Sequence, residues 1–344
     1  MEKNVSKIKK KKKIKKIRKF SWKLLIGFMF FELIFTGATG PLVLLYGPFQ
    51  TAKSIFVGTA VGSMHYSWLA TTFLSEEEIN KILGRGGTES NENNISTDTN
   101  SNLISISNNH DETIDHKTIE GENFIGQVLT INDPFRIKIG YTSKLNSSQK
   151  EGETTSMIAE NNNAVAAING GAFQDEPNSQ AWSANGGTPS GVIITGGNVI
   201  YDDTAGAKKG TIAMANGRLI SGDFTKNELL SKGVTEAVSF DTDVLVVEGK
   251  AAKLKYRIGG YSPRTLIGQK SDGSILFVVL DSKSGSRMAA TLDEAQQVMI
   301  KLGCMTATTL DGGKSTTMYY NGEVINTPSN ELGERYIPTA VIVK

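Results

Sequence analysis

The chain has 344 residues, 37 Lys and Arg against 35 Asp and Glu, one cysteine (Cys304) and three histidines (His65, His110, His116). One cysteine excludes an intramolecular disulfide and a thiolate metal cluster, and histidines confined to positions before 120 exclude imidazole triads and histidine-ligated zinc from everything downstream. The near-neutral total hides an asymmetry: residues 1–23 carry twelve Lys and Arg against Glu2 alone, which leaves 25 basic and 34 acidic residues, a net of −9, for the rest.

Taken in chain order, the basic run 1–23 is a cytoplasmic tail. It is followed by 23 residues from Leu24 to Tyr46, ionisable before the terminal tyrosine only at Glu32. Such a run is long enough to cross a hydrocarbon core of ~30 Å, and a basic flank marks its cytoplasmic side. This assigns the lysines to the membrane and not to nucleic acid. The apolar region is also longer than that of a cleaved signal peptide and lacks a clear small-x-small cleavage site. Residues 24–46 are therefore expected to anchor the chain, with Glu32 costly inside the span unless paired or protonated. Residues 47–83 are expected to be membrane-proximal and helical. Within them Ser54–Ser75 has no acidic or basic residue except His65, and it is followed by Glu76, Glu77 and Glu78, so it reads as a surface helix outside the membrane. From 84 to 120 the composition turns to Asn, Ser, Thr, Asp and Glu, which predicts a flexible linker. The remainder, 121–344, is large enough for a core. An exterior protein without disulfides suits a bacterial cell envelope.

In that domain Phe135–Tyr141 and Ala164–Ile168 read as strands, and Ser274–Leu280 as a strand buried on both faces. Three hairpins are predicted, around Gly196-Gly197, Asn216-Gly217 and Asn321-Gly322, because these pairs tolerate positive φ. Capping boxes at Thr225–Glu228 and Thr291–Glu294 open two helices, the second stopping at Gly303; another is expected over Thr154–Glu160. Strands outnumber helices, so the fold class is α+β with a mixed, largely antiparallel sheet.

Two glycine-rich turns follow apolar strands: Asn169-Gly170-Gly171-Ala172-Phe173, and Asp311-Gly312-Gly313-Lys314-Ser315-Thr316. Consecutive glycines let amides converge on an anion or let a ligand approach the backbone. Gly313-Lys314-Ser315 is not a P-loop, because position 308 is Thr where glycine is needed and a strand follows in place of a helix. Arg264, between Pro263 and Thr265 at a strand start, suits bidentate capture of phosphate or carboxylate.

In their order these pieces resemble the phosphodiester glycosidase family: Asn169-Gly170-Gly171-x-Phe173, Ser190-Gly191, Pro263-Arg264-Thr265-x-x-Gly268, Glu294-Ala295, Leu310-Asp311-Gly312-Gly313-x-Ser315-Thr316 and Arg335-x-x-Pro338, over about residues 122–344. Many members carry a third glycine where this chain has Lys314. The resemblance implies cleavage of a sugar-1-phosphodiester at the anomeric C–O bond. A phosphomonoester leaves readily, so the absence of histidine is no obstacle, and carboxylates carry the chemistry. Asp311 is then the leading catalytic carboxylate, or a ligand of Ca²⁺ or Mg²⁺. Asp175, Glu248 and Glu334 are candidates for a second carboxylate. Arg264, Lys314 and the amides of Gly170, Gly171, Gly312 and Gly313 would grip the phosphate, while Asn169, Thr265 and Ser315 complete the substrate contacts. For an anchored exterior enzyme the expected substrates are phosphate-linked surface glycans such as teichoic acids or capsular polymers. The rival readings are a non-catalytic glycan-binding module on the same fold and a structural part in envelope assembly.

Overall fold

The local signals of the sequence close into three antiparallel sheets around one core. The computed structural model describes residues 21–61, 68–82, 96–97, 103–106, 110–145, 151–174, 185–241, 244–254, 260–283, 288–329 and 333–344. The chain divides into a unit ending at Gln50 and a second from Thr51 to Lys344.

The first unit contains α1, Trp22–Tyr46, whose start is capped by the Ser21 side chain accepting from the Leu24 N–H. Its 25 residues rise ~37 Å at ~1.5 Å each, enough to cross a hydrocarbon core of ~30 Å. Leu24, Phe28, Phe31 and Leu33 are exposed along it. It is the one described helix with the length and apolar composition for a membrane span or a signal sequence.

The region 47–83, expected to be membrane-proximal and helical, holds α2 (Gln50–Val61), α3 (Trp68–Thr71) and α4 (Glu76–Ile82), with residues 62–67 outside the described set. Val57, Ala70, Leu74 and Ile79 are buried, whereas Trp68 at the start of α3 is exposed.

The seven-stranded sheet runs β1 (Ile114–Glu120), β2 (Phe124–Ile131), β15 (Ile275–Ser282), β14 (Arg264–Lys270), β16 (Cys304–Thr309), β12 (Val244–Val247), β13 (Lys250–Ala251). One five-stranded sheet has the order β10 (Arg218–Phe224), β9 (Lys209–Ala215), β11 (Val234–Ser239), β7 (Val192–Thr195), β8 (Asn198–Asp202). The other runs β18 (Glu323–Val324), β17 (Met318–Tyr320), β4 (Ala166–Asn169), β19 (Thr339–Val343), β3 (Ile137–Tyr141). A short pair, β5 (Phe173–Gln174) with β6 (Thr188–Pro189), completes the set. Among the described residues the strand pairs are antiparallel, in agreement with the α+β expectation.

Alternation along each strand sorts its side chains between two faces. The inner faces of the three large sheets meet in one core that includes Leu129, Ile168, Ile193, Met214, Phe277 and Val341. Each outer face carries a helix. On the seven-stranded sheet lies α7 (Leu292–Lys301), over Leu266, Val278 and Ala307. Over β4 and β19 lies α5 (Thr155–Asn161), and beside β11 lies α6 (Lys226–Ser231). Both expected capping boxes form, at Thr225 and Thr291. Asn216-Gly217 and Asn321-Gly322 take the positive φ their hairpins need.

One boundary differs from the composition. Residues 114–120, placed in the linker, pair along their whole length with β2. Upstream, the Thr97 N–H donates to Ser221 O at 2.9 Å and the Ser105 N–H to Ser271 O at 2.8 Å. A polar edge strand such as IDHKTIE has the low hydrophobicity of a linker, because only one of its faces meets the protein.

Two sheets are joined by a buried charge. Glu236, fully buried on β11, accepts from the Ile139 N–H of β3 at 2.9 Å, Thr195 Oγ1 at 2.9 Å and the Gly196 N–H at 3.1 Å. Lys138 Nζ lies 3.4 Å away. Glu236→Ala strands these donors and should lower stability by about 3 kcal/mol or more. Lys138→Ala, at a half-exposed lysine, should cost less. Equal midpoint losses for the two variants in urea melts would contradict this account of the joint.

Candidate active site

Both glycine turns emerge at the same end of the fold, and Asn169 joins them. It closes β4 and is fully buried. Its Nδ2 donates to Asp311 O at 2.6 Å, and its Oδ1 accepts from Thr265 Oγ1 at 2.7 Å and the Thr317 N–H at 3.1 Å. The Asp311 N–H in turn donates to Gly170 O at 3.3 Å. One carboxamide thus ties the end of β4, the start of β14 and the whole Asp311–Thr317 turn.

The glycines serve close packing of backbone. The Gly170 N–H donates to Thr339 O at 2.9 Å, the Gly171 N–H to Thr339 Oγ1 at 3.0 Å, and the Ala172 N–H to Ser239 O at 2.8 Å. A Cβ on Gly171 would lie 2.3 Å from Ser239 O, and one on Gly312 2.8 Å from Pro263 O. The Gly313 N–H is taken by Pro263 O at 2.8 Å. The amides of Gly170, Gly171 and Gly313, expected to hold phosphate, are therefore engaged inside the protein. So are the side chains of Asn169 and Thr265.

The second turn also carries charged and hydroxyl side chains. Asp311 and Lys314 are partly exposed, the first before and the second within the short 3-10 turn Gly313–Ser315. Among the described residues the buried hydroxyls of Ser315 and Thr317 have no hydrogen-bond partner.

Arg264 is held beside this turn, its Cα 3.8 Å from where a Cβ of Gly312 would stand. Its Nε donates to Ala290 O at 3.1 Å and its Nη2 to Gly260 O at 2.6 Å. Thr265 points to Asn169, so the Arg264 side chain belongs to the opposite, α7-covered face of the sheet. Helix α2 reaches the same loop, where a Cβ on Gly260 would meet Thr59 Oγ1 at 2.3 Å.

The candidates for a second carboxylate separate clearly. Glu248 turns the β12–β13 hairpin beside Met305, where the Gly249 N–H donates to Met305 O. That lies six residues before Asp311, at the far end of β16, ~20 Å away. Glu334 accepts from the Ser156 N–H at 3.0 Å, at the start of α5. The neighbouring Arg335 guanidinium stacks 4.8 Å over the Phe173 ring, so Glu334 shares its end of the fold with the first glycine turn. Asp175 lies outside the described residues.

A carboxylate not singled out from the sequence sits here as well. Asp281 is the penultimate residue of β15 and is 3% exposed. Burial raises its pKa to about 6, although the Thr327 N–H and the Asn326 amide both act to lower it. The available signal was an acid closing the apolar run Ile275–Leu280. Among the described residues no three His, Cys, Asp or Glu side chains are gathered as a metal ion would need.

A model of the phosphodiester glycosidase family matches residues 162–344, more than half of the chain. An SPbeta prophage-derived uncharacterized protein of Bacillus subtilis strain 168 is 26% identical over 205 residues, covering 55% of this chain and 29% of that protein. The chain therefore spans under a third of the length of that curated relative. Among solved structures, the catalytic domain of zebrafish N-acetylglucosamine-1-phosphodiester alpha-N-acetylglucosaminidase matches with a TM-score of 0.56 at 18% identity, over 70% of this chain and 86% of that one. That likeness is one of fold. With the glycine turns, Arg264 and the Asp311 turn all inside or framing the matched region, the chain belongs to the phosphodiester glycosidase family.

Proposed function

We infer that this protein hydrolyses a sugar-1-phosphodiester, breaking the anomeric C–O bond so that water's oxygen joins the sugar and a phosphomonoester leaves. The observation that carries this reading is the Asp311–Ser315 turn. It presents a carboxylate and an ammonium three residues apart on a backbone clamped by Asn169 and Pro263. Fixed groups stabilise a transition state without reorganising, which is where such sites gain most of their rate.

In this scheme Asp311 stabilises the oxocarbenium-like sugar or activates the water. Lys314 and Ser315 Oγ meet the phosphate, while Arg264, bonded to Ala290 O and Gly260 O, reaches it only if its side chain leaves those carbonyls. Glu334 is the leading second carboxylate. Because the amides of Gly170, Gly171 and Gly313 are occupied, recognition of the anion falls largely to these side chains. The lysine at the position where many relatives carry glycine strengthens that grip and favours polyanionic substrates. With α1 as an anchor and the domain outside, those would be phosphate-linked glycans of the cell surface. The zebrafish enzyme's name specifies an N-acetylglucosamine-1-phosphodiester, which makes UDP-N-acetylglucosamine the first probe.

The full-length protein in detergent should release free sugar from that probe or from a panel of sugar-1-phosphodiesters. Asp311→Asn should reduce kcat by ~10² to 10⁴, the range of a carboxylate acting in the transition state. Lys314→Ala should act mainly on KM, raising it roughly tenfold, as loss of a partly exposed charge contact does. Retained glycan binding with no sugar release by any variant or by wild type would replace the enzyme with a binding module.

A further inference from the structure

Asp281 has no part in the scheme above, yet its carboxylate stands beneath the turn that does. Oδ1 accepts from Asn326 Nδ2 at 3.2 Å, and Oδ2 from the Thr327 N–H at 3.1 Å. Asn326 passes the contact on: its Nδ2 also donates to Thr316 O at 3.1 Å, and its Oδ1 accepts from the Met318 N–H at 2.7 Å. Ser329 Oγ then donates to Gly313 O at 3.1 Å. The segment 326–329 is thus a brace with Asp281 at one end and the Gly313–Met318 backbone at the other.

We propose that Asp281 is a positioning residue: by holding Asn326 and Thr327 it sets where the Asp311–Thr317 turn presents Asp311 and Lys314. The proposal rests on the glycosidase reading for its catalytic consequence, and on the geometry alone for the mechanical one. Both carboxylate oxygens face donors. A proton on either oxygen would set donor against donor and release one strut of the brace. With its pKa about 6, this group changes state within the range where cell-surface pH varies.

The charged groups around it are few. On β2 its partner is Ile125, and beyond that Glu120 of β1 is paired with Lys283 at 3.0 Å. On β14 Arg264 is turned to Ala290 and Gly260. Lys314 belongs to the turn itself. The brace, Asn326 to Ser329, contains no titratable side chain. Burial, not a neighbouring charge, is the largest cause of the raised pKa.

Hydrogen–deuterium exchange on the full-length protein in detergent tests the brace without any substrate. At pH 5.0, about one unit below the pKa, the carboxylate fraction is about a tenth. After correction for intrinsic rates, protection of the Ser315, Thr316 and Thr327 amides should therefore fall about tenfold between pH 7.5 and 5.0, while Phe277 in mid-strand stays protected. Asp281→Asn should show the low protection at both pH values. Asn326→Ala, which removes the bridge but not the acid, should lose the pH response at Ser315 and Thr316 while Thr327, bonded directly to Asp281, keeps it; it also keeps the test decisive if Asp281→Asn does not fold. Protection of the wild-type turn that is independent of pH overturns the proposal, as does full protection in Asp281→Asn at pH 7.5. In turnover, the brace variants should lower kcat with little change in KM and abolish an acid limb centred near the pKa. An exchange response with no sugar release at any pH leaves the positioning role standing and removes the glycosidase reading.

Discussion

The Asn169 carboxamide is the contact on which this end of the molecule depends. Its three hydrogen bonds reach residues 96, 142 and 148 positions away in the chain, so it fixes relations that no local propensity could. A buried amide that loses a partner costs ~1–3 kcal/mol for each group left unsatisfied. The close backbone approaches around it follow. Gly170 and Gly171 lie against Thr339 and Ser239, and Gly312 against Pro263, with no space for a Cβ at any of the three. Asparagine suits the position because one side chain supplies a donor to a carbonyl and an acceptor to a hydroxyl and an amide at once.

This division of labour changes what the glycines mean. Paired glycines after a strand suggest an anion cradle, but an amide that already donates to a carbonyl has nothing left for a phosphate. Here the amides of Gly170, Gly171 and Gly313 are used in building a rigid frame, and the charged side chains of Asp311 and Lys314 stand on that frame. The arrangement suits catalysis by fixed charges better than a loop that closes on its ligand.

Features that depend on neighbours in sequence were legible from it. The Asn216-Gly217 hairpin, the capping boxes at Thr225 and Thr291, and α1 all rest on interactions within a few residues. The resemblance located both turns, Arg264 and Asp311 because their order along the chain is itself informative. Strand order was not legible, since the seven-stranded sheet interleaves strands from residues 114 to 309. The edge strand β1 was lost in a polar composition. Asn169 looked like a ligand-facing residue because spacing cannot distinguish a side chain pointing at substrate from one pointing at Asp311 O. Glu248 was a candidate only until register placed it at the far end of β16.

Two of the buried acids, Glu236 and Asp281, differ in how their charge is compensated. Glu236 is met by two amides, a hydroxyl and a lysine, a set that compensates its charge and joins two sheets. Asp281 is met by one amide and one carboxamide, and its pKa stays high. A carboxyl whose pKa is raised on folding keeps a proton that the unfolded chain releases. Its contribution to stability is full below the unfolded value near 4 and is lost as pH rises through about 6. The shift of roughly two units corresponds to a cost on the order of 3 kcal/mol at neutral pH. An apolar or amide side chain would avoid that cost. A fold that bears it directly beneath the turn carrying Asp311 and Lys314 has placed a weakly compensated charge where a rigid, correctly placed turn matters most.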